Sequence, residues 1–371
     1  MNVPMLDLVA QYQTIKKETL AAVHEVIEAQ QFIMGPAIGK LEAEVAALSH
    51  AKYGIGCASG TDALLLPLKA LDLKPGDEVI TTPFTFFATA GTIHNAGGTP
   101  VFVDIDADTF NIDPAAIEAA LTPRTRAIMP VHLYGQMAPL ERILAIAAKK
   151  GIPVVEDAAQ AIGARRKIAG EWRTAGELGW ATGYSFFPSK NLGAWGDGGM
   201  IVTSDEKGAE RLKKLRLHGG AKQYHHEEVG TNSRLDTLQA ALLLAKLPHL
   251  AGWSAKRREH AAWYSKAFAG LGAVRAPVVD PANEHIFHQY TLRVERRDGL
   301  QTHLKEQGIG HAVYYPIPLH LQPCFAHLKY AAGRLPRAER AAHEVISLPI
   351  YPELTDAQKQ AVVDAVKSFY R

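Results

Sequence analysis

The sequence predicts an α/β fold: a large domain with a mostly parallel sheet between helices, then a smaller α+β domain. Three observations predict it. From about residue 50 to 205, short continuous apolar runs alternate with amphipathic stretches, as expected for strands covered by helices on both faces. From 235 to about 270 the helical pattern is nearly unbroken, and beyond it the alternation stops. With 371 residues, 47% of them hydrophobic, the chain can build more than one core, and single cores rarely grow that large. The expected division is 1–250 for the N-terminal helices and large domain. Residues 251–371 continue the long helix and form the small domain.

The first ~50 residues read as helices. "YGIGCAS" is a strand, and "GTDALLLPLKAL" the helix after it. "DEVITTP", "TPVFVDI", "RAIMPVHLYG" and "IPVVEDA" are strands, separated by helices from "FATAGTIHNAG", "DPAAIEAAL" and "PLERILAIAAKKG". Asp113 is placed to cap the second of these helices and Gly151 to end the third. "TGYSFF" and "GGMIVTS" complete the large sheet, and "HQYTLRV" and "HAVYY" are strands of the small domain, followed by two late helices.

The formal net charge of +2 gives no basic field for nucleic acid. Two cysteines, Cys57 and Cys324, without a CxxC pair fit a reducing compartment and exclude a cysteine zinc site. The N-terminus lacks a signal-peptide pattern, and no apolar run approaches the ~18–20 residues that cross a bilayer. The expectation is a soluble cytoplasmic protein.

Three short stretches carry chemistry. In "CASGTDAL" a strand ends at Ser59 and Gly60-Thr61 open a helix, whose free amides and dipole favour a phosphate. Ser59 as an ordinary helix cap explains the same letters. In "IPVVEDAAQAIGA", Asp157 ends an apolar strand, where open α/β sheets bind ligands. A carboxylate there needs a partner, such as a pyridinium N–H or a helix amide. Gln160 faces the same opening. In "SFFPSKNLGAWGDGGM", Lys190 stands among glycines and aromatics with few charges. Desolvation would favour its neutral amine, which can form a Schiff base; a surface lysine in a glycine-rich turn is the alternative. Phosphate anchor, pyridinium partner and Schiff-base lysine together are what pyridoxal 5′-phosphate requires.

On these residues the chain resembles the DegT/DnrJ/EryC1/StrS sugar-nucleotide aminotransferases, which have the aspartate aminotransferase-like fold type I. The resemblance spans nearly the whole length, through "FIMGPAIGKLEAEVA", "ASGTDAL", "PFTFFATA", "VFVDID", "VHLYGQ", "EDAAQAIGA", "GTNSRLDTLQAALL" and "YYPIPLHLQP". It implies a seven-stranded large-domain sheet and pyridoxal 5′-phosphate held as a Schiff base on Lys190. By the same resemblance Asp157 is the pyridinium partner and Gln160 lies near the 3-hydroxyl. Phe86 stacks on the ring; Gly60, Thr61 and Ser185 bind the phosphate. Asn232 reaches the phosphate of the neighbouring subunit, which implies a homodimer with shared sites. The nearest branch transfers the amino group of L-glutamate to C3 of UDP-2-acetamido-2-deoxy-3-oxo-D-glucuronate, for surface polysaccharide such as O-antigen. Tyr314-Tyr315, where that branch has His-Tyr, leaves dTDP-3-oxo-6-deoxyhexoses as the alternative. Lys190 in place of histidine disfavours a dehydratase, and the Lys190–Asp157 pair disfavours a non-catalytic regulator.

Arg234 is a candidate for phosphate or partner contact, against an exposed arginine at a helix start. Tyr314, Tyr315 and His320 are candidates to line the sugar site from the other subunit, against packing residues of the small domain. Tyr134 and Gln136 read as strand-end residues and Trp195 as packing. Tyr224-His225-His226 lacks the spacing and third ligand of a metal site and reads as a contact loop, so no metal is expected.

Overall fold

The computed structural model describes residues 1–220, 222 and 224–371. Helices α1 (Leu8–Ala29) and α2 (Pro36–Leu48) lead in. Asp7 caps the first through the Ala10 amide, and a proline opens the second, where no amide partner is needed. Then follow β1 (Tyr53–Cys57), α3 (Gly60–Ala70), β2 (Glu78–Thr81), α4 (Ala88–Asn95), β3 (Thr99–Phe102), α5 (Pro114–Ala120), β4 (Thr125–Met129), α6 (Leu140–Lys150) and β5 (Val155–Asp157). Asp113 caps α5, and α6 ends at Gly151 in the left-handed region. A hairpin of β6 (Arg165–Ile168) and β7 (Glu171–Thr174) precedes β8 (Ala181–Ser185), β9 (Gly199–Thr203) and α7 (Glu206–Leu215).

Strands order as β1-β9-β8-β5 and β3-β2-β4. Parallel bridges Ile128–Val154 and Val131–Asp157 join the two sets into one seven-stranded sheet, β1-β9-β8-β5-β4-β2-β3. Only β9 runs against its neighbours; β2–β3, β2–β4 and β5–β8 are parallel. This is the mostly parallel sheet expected of fold type I. Its apolar core includes Ile80, Ile128, Val154, Tyr184 and Met200, all at most 2% exposed. Because Cys57, Thr81, Asp157 and Ser185 each end a parallel strand, the loops that follow meet at one edge. At that edge β9 starts with Gly199, where a Cβ would sit 2.3 Å from the Ser59 carbonyl oxygen, so only glycine lets β1 and β9 close together.

Helices α8 (Thr237–Lys246) and α9 (Leu250–Phe268) are separated by one 3₁₀ turn, Leu247–His249. Pro248 explains the break in the long helical pattern. The remainder holds β10 (Val274–Arg275), β11 (Asn283–Glu284), β12 (Tyr290–Val294), α10 (Arg297–Glu306), α11 (Pro336–Glu344), β13 (Val345–Leu348) and α12 (Asp356–Tyr370). An antiparallel sheet β10-β12-β13 packs on α9, α10 and α12 around Tyr264, Phe268, Leu292, Ile346 and Val362. Val3 joins that core and bridges to Ile309, so the N-terminus is tied to the C-terminal sheet.

One expectation needs correcting, and one element was missed. "HAVYY" is not a strand: only Ala312 bridges, to Ser347, and Val313–Tyr315 enter a loop whose Pro316 and Pro318 cannot donate to a ladder. The β6–β7 hairpin went unread in the sequence. Ala169-Gly170 both have positive φ, as a two-residue primed turn requires.

Candidate active site

The site lies where the parallel strands end. Asp157, last in β5, is 4% exposed. Its Oδ2 accepts from Thr89 Oγ1 at 2.7 Å and its Oδ1 from the Ala159 amide at 3.2 Å. The Thr89 proton is committed to the carboxylate, so Thr85, 3.0 Å from Thr89, donates to it in turn. Burial nevertheless raises the Asp157 carboxyl above its ordinary value, outweighing those two bonds and the positive charge of Lys190. Among the described residues no cation is within ion-pair distance of it. It is a buried acceptor whose charge a cationic donor would stabilise.

Lys190 lies in the loop after β8, its backbone amide bonded to the Phe187 carbonyl at 2.8 Å. Among the described residues its ammonium has no hydrogen-bond or ion-pair partner. Desolvation lowers its pKa from 10.5 to about 8, against the opposing pull of Asp157. The next residue, Asn191, is clamped from behind: its Oδ1 is 3.1 Å from His288 Nδ1, and its Nδ2 donates to the Ile286 carbonyl at 3.3 Å.

Helix α3 starts at the same edge. Ser59 caps it through the Asp62 amide at 3.1 Å. A Cβ on Gly60 would fall 2.5 Å from Ser185 Cβ, so the glycine brings the helix start against the end of β8. The first amides of α3 and the Ser185 hydroxyl thus converge. The helix-cap and phosphate readings are compatible, since Ser59 caps while Gly60 and Thr61 leave their amides open.

Gln160, 8% exposed, accepts from the Tyr134 amide at 2.7 Å and donates to Tyr315 Oη at 2.9 Å. Tyr315 therefore stands in the cleft of its own chain, with Phe84 and Phe86 rings 6.2 and 6.5 Å away. Phe86 is 59% exposed at the cleft mouth. The Tyr314 carbonyl accepts from Tyr134 Oη, and these residues join Phe102, Leu319 and Phe325 in a small apolar cluster. Behind β5, His132 accepts from the Ala138 amide at Nδ1, so Nε2 carries the proton and donates to Glu156 at 2.7 Å. Both side chains are fully buried.

The donor set fits pyridoxal 5′-phosphate. Open amides suit a dianionic phosphate, the buried Asp157 suits a pyridinium N–H, and the partnerless Lys190 suits an aldehyde.

The model of the DegT/DnrJ/EryC1/StrS aminotransferase family matches residues 13–367. The chain belongs to this family. Its cofactor is accordingly pyridoxal 5′-phosphate. A Geobacillus stearothermophilus protein named "Pleiotropic regulatory protein" is 56% identical, covering 100% of this chain and 99% of its own. A UDP-N-acetyl-3-dehydro-alpha-D-glucosamine 3-aminotransferase of Acidithiobacillus ferrooxidans is 47% identical over 98% of this chain and 97% of its own. The UDP-2-acetamido-2-deoxy-3-oxo-D-glucuronate aminotransferase of Pseudomonas aeruginosa is 44% identical, with 98% and 99% covered. Among solved structures, S. venezuelae DesV superposes with a TM-score of 0.96 at 44% identity, covering 100% and 99%. Bacillus subtilis NtdA with bound cofactor PMP gives 0.92 at 33% identity, covering 100% and 85%.

Within this family member the structure gathers Gly60, Thr61, Phe86, Asp157, Gln160, Ser185, Lys190 and Tyr315 at one edge. It does not gather all the candidates. His320 is 2% exposed, and its Nε2 is 3.1 Å from Glu339 under Phe102 and Tyr330, away from the cleft. Asn232 is exposed and bridges to Leu217 through its backbone. Arg234 is partly exposed, and among the described residues its side chain has no partner. Gln136 holds the 278–280 loop through the Val278 carbonyl and the Asp280 amide. Trp195 packs edge-on against Tyr12. His226 bonds the His218 carbonyl, and among the described residues no three metal-ligating side chains cluster. No helix described is long and apolar enough to cross a membrane. Thr89, His132 and Asn191 escaped the sequence reading; only the Lys-Asn adjacency gave a signal.

Proposed function

We propose that the protein transfers the amino group of L-glutamate to the C3 carbonyl of a UDP-linked 2-acetamido-2-deoxy-3-oxo sugar. UDP-2-acetamido-2-deoxy-3-oxo-D-glucuronate is the first acceptor to test, and surface polysaccharide the destination. The observation that carries the chemistry is the pairing of a buried, cation-free Asp157 with a partnerless Lys190 at one sheet edge. Two relatives that act on UDP-linked N-acetyl 3-oxo sugars support the acceptor class. They differ at C6, so the glucosamine form is the second acceptor to test.

When bound, the cofactor supplies the electron sink for a carbanion beside nitrogen. The residues do the rest. Gly60 and Thr61 amides with Ser185 hold the phosphate, and Asn232 reaches the phosphate of the partner subunit in a homodimer. Asp157, held by Thr89 and the Ala159 amide, fixes the proton on the ring nitrogen. Phe86 sets the ring plane and Gln160 its edge, which is positioning. Lys190 would hold the cofactor through its aldehyde, and its Nζ would move the proton as general base and then acid, a role matched by a pKa of about 8. Arg234, Tyr314 and Tyr315 are proposed to face the sugar. The regulatory name of one relative does not redirect this reading, since a ligand-binding regulator has no need of a desolvated lysine.

The test is a half-reaction followed by absorbance. Glutamate should discharge the visible band of the lysine-bound cofactor, and the 3-oxo sugar nucleotide should restore it. Lys190→Ala should abolish turnover. Retained turnover, or no response to any amino donor, would sink the assignment. Return of the band with a dTDP-3-oxo-6-deoxyhexose alone would replace the acceptor.

A further inference from the structure

A cavity of about 440 Å³ opens at the end of β12 remote from Lys190, between β10, α10 and α11. Five arginines line it, at 275, 293, 296, 297 and 340, with His343, against two glutamates, 295 and 344. That excess of three positive charges in one pocket exceeds the +2 of the entire chain. The concentration is therefore local and not a reflection of general basicity.

The arginines fall into two groups. Three are anchored. Arg293 donates to Glu344 at 3.0 Å and to the Ala107 carbonyl at 2.7 Å. Arg297 donates to the Ala342 and Val345 carbonyls and to Asp298. Arg296 lies over the Phe369 ring at 4.6 Å. Their guanidinium groups are held before any ligand arrives. Arg275, Arg340 and His343 are exposed, and among the described residues their side chains have no hydrogen-bond or ion-pair partner. Glu344 and Asp298 neutralise Arg293 and Arg297, which leaves Arg275, Arg296 and Arg340 against Glu295 alone.

We infer that this cavity binds a small polyphosphate anion, of the pyrophosphate chemistry that nucleoside diphosphates carry. Planar guanidinium forks match phosphate oxygens two at a time; those of Arg275 and Arg340 are free to do so, while the anchored arginines frame the pocket beside them. The volume lies within the range of small-ligand pockets. Carboxylates are poorer candidates, because a single carboxylate satisfies one fork where at least two stand free. The site is separate from the cofactor edge, and its assignment does not depend on the acceptor proposed above. It is linked to that edge by β12: the chain runs from His288, which is bonded to Asn191 beside Lys190, through the strand to Arg293 and the cavity.

The test is calorimetric titration of cofactor-loaded protein with inorganic pyrophosphate. Saturable binding is expected. R275Q/R340Q should weaken it by roughly tenfold or more, the scale of lost hydrogen bonds to charged groups. Lys190→Ala, which alters the cofactor edge, should leave it unchanged. The single variants R275Q and R340Q, each with partial loss, serve if the double variant does not fold. A parallel UDP titration separates sources. A UDP affinity also lowered by R275Q/R340Q points to a nucleotide, and an effect on pyrophosphate alone points to a free polyphosphate. Binding unchanged in R275Q/R340Q would place the anion outside this cavity and overturn the inference. Absence of saturable binding to the native protein would overturn it equally.

Discussion

The lowered pKa of Lys190 makes a kinetic prediction that is separable from turnover. An amine of pKa 10.5 is neutral in roughly one molecule in 3,000 at pH 7, whereas one of about 8 is neutral in roughly one in ten. Only the neutral form attacks an aldehyde. Capture of added pyridoxal 5′-phosphate by cofactor-free protein should therefore be about 300-fold faster at pH 7 than for an ordinary lysine of equal nucleophilicity. The rate should rise tenfold per pH unit below 7 and level off above about 8. The sign follows from burial: desolvation disfavours the ammonium and lowers the pKa, while Asp157 opposes the shift. Asp157→Asn removes that opposition, so the midpoint should move below 8. The assay is stopped-flow absorbance across a pH series. Dividing by the rate with a free lysine derivative removes the cofactor's own ionisations. A corrected midpoint near 10 would refute the argument that Lys190 is desolvated. A midpoint that rises in Asp157→Asn would refute the role given to the carboxylate charge.

Three further outcomes are expected. Gly60→Ala would push a methyl group to within 2.5 Å of Ser185 Cβ, at a strand end confined by β5 and β9; overpacking of about 1–3 kcal/mol should weaken cofactor binding tenfold or more, read by equilibrium titration, and an unchanged affinity would contradict the close approach. His132→Ala leaves Glu156 buried with only the Gly176 and Gly179 amides as donors. It should cost about 3 kcal/mol in urea unfolding, and a loss under about 1 kcal/mol would show the pair to be dispensable. Tyr315→Phe removes the acceptor of Gln160 Nε2; with about 1 kcal/mol at stake, turnover should fall about fivefold while cofactor affinity holds, and a loss of cofactor instead would assign Tyr315 to the cofactor.

Why the lysine, the aspartate and the helix start were legible, while Thr89 and Tyr315 were not, has a physical answer. Asp157 ends an apolar strand and Gly60 and Lys190 follow one within a few residues, and a strand end is visible as the point where the apolar run stops. Their residue types are also demanding: few side chains can stabilise a pyridinium or capture an aldehyde. Thr89 lies inside a helix, 68 positions before the carboxylate it supports, and a helical threonine has many ordinary reasons to be there. His132, just past β4, and Glu156 in β5 meet from separate segments in the same way. The misread "HAVYY" is the instructive case. Its valine and paired tyrosines are strand-forming residue types, yet the prolines after them forbid a ladder, and Tyr315 is spent on the cleft. Sequence offers Tyr315 both to the other subunit's sugar site and to packing in the small domain, because it carries no information on which copy's cleft a loop closes. In the fold, the Gln160 bond and the packing of Leu319 and Phe325 on Phe84 and Phe102 draw that loop over its own chain. A residue demanded by the chemistry is thus readable from type and local position, whereas one that supports it from a distance becomes readable only when tertiary contacts select one of many tolerable side chains.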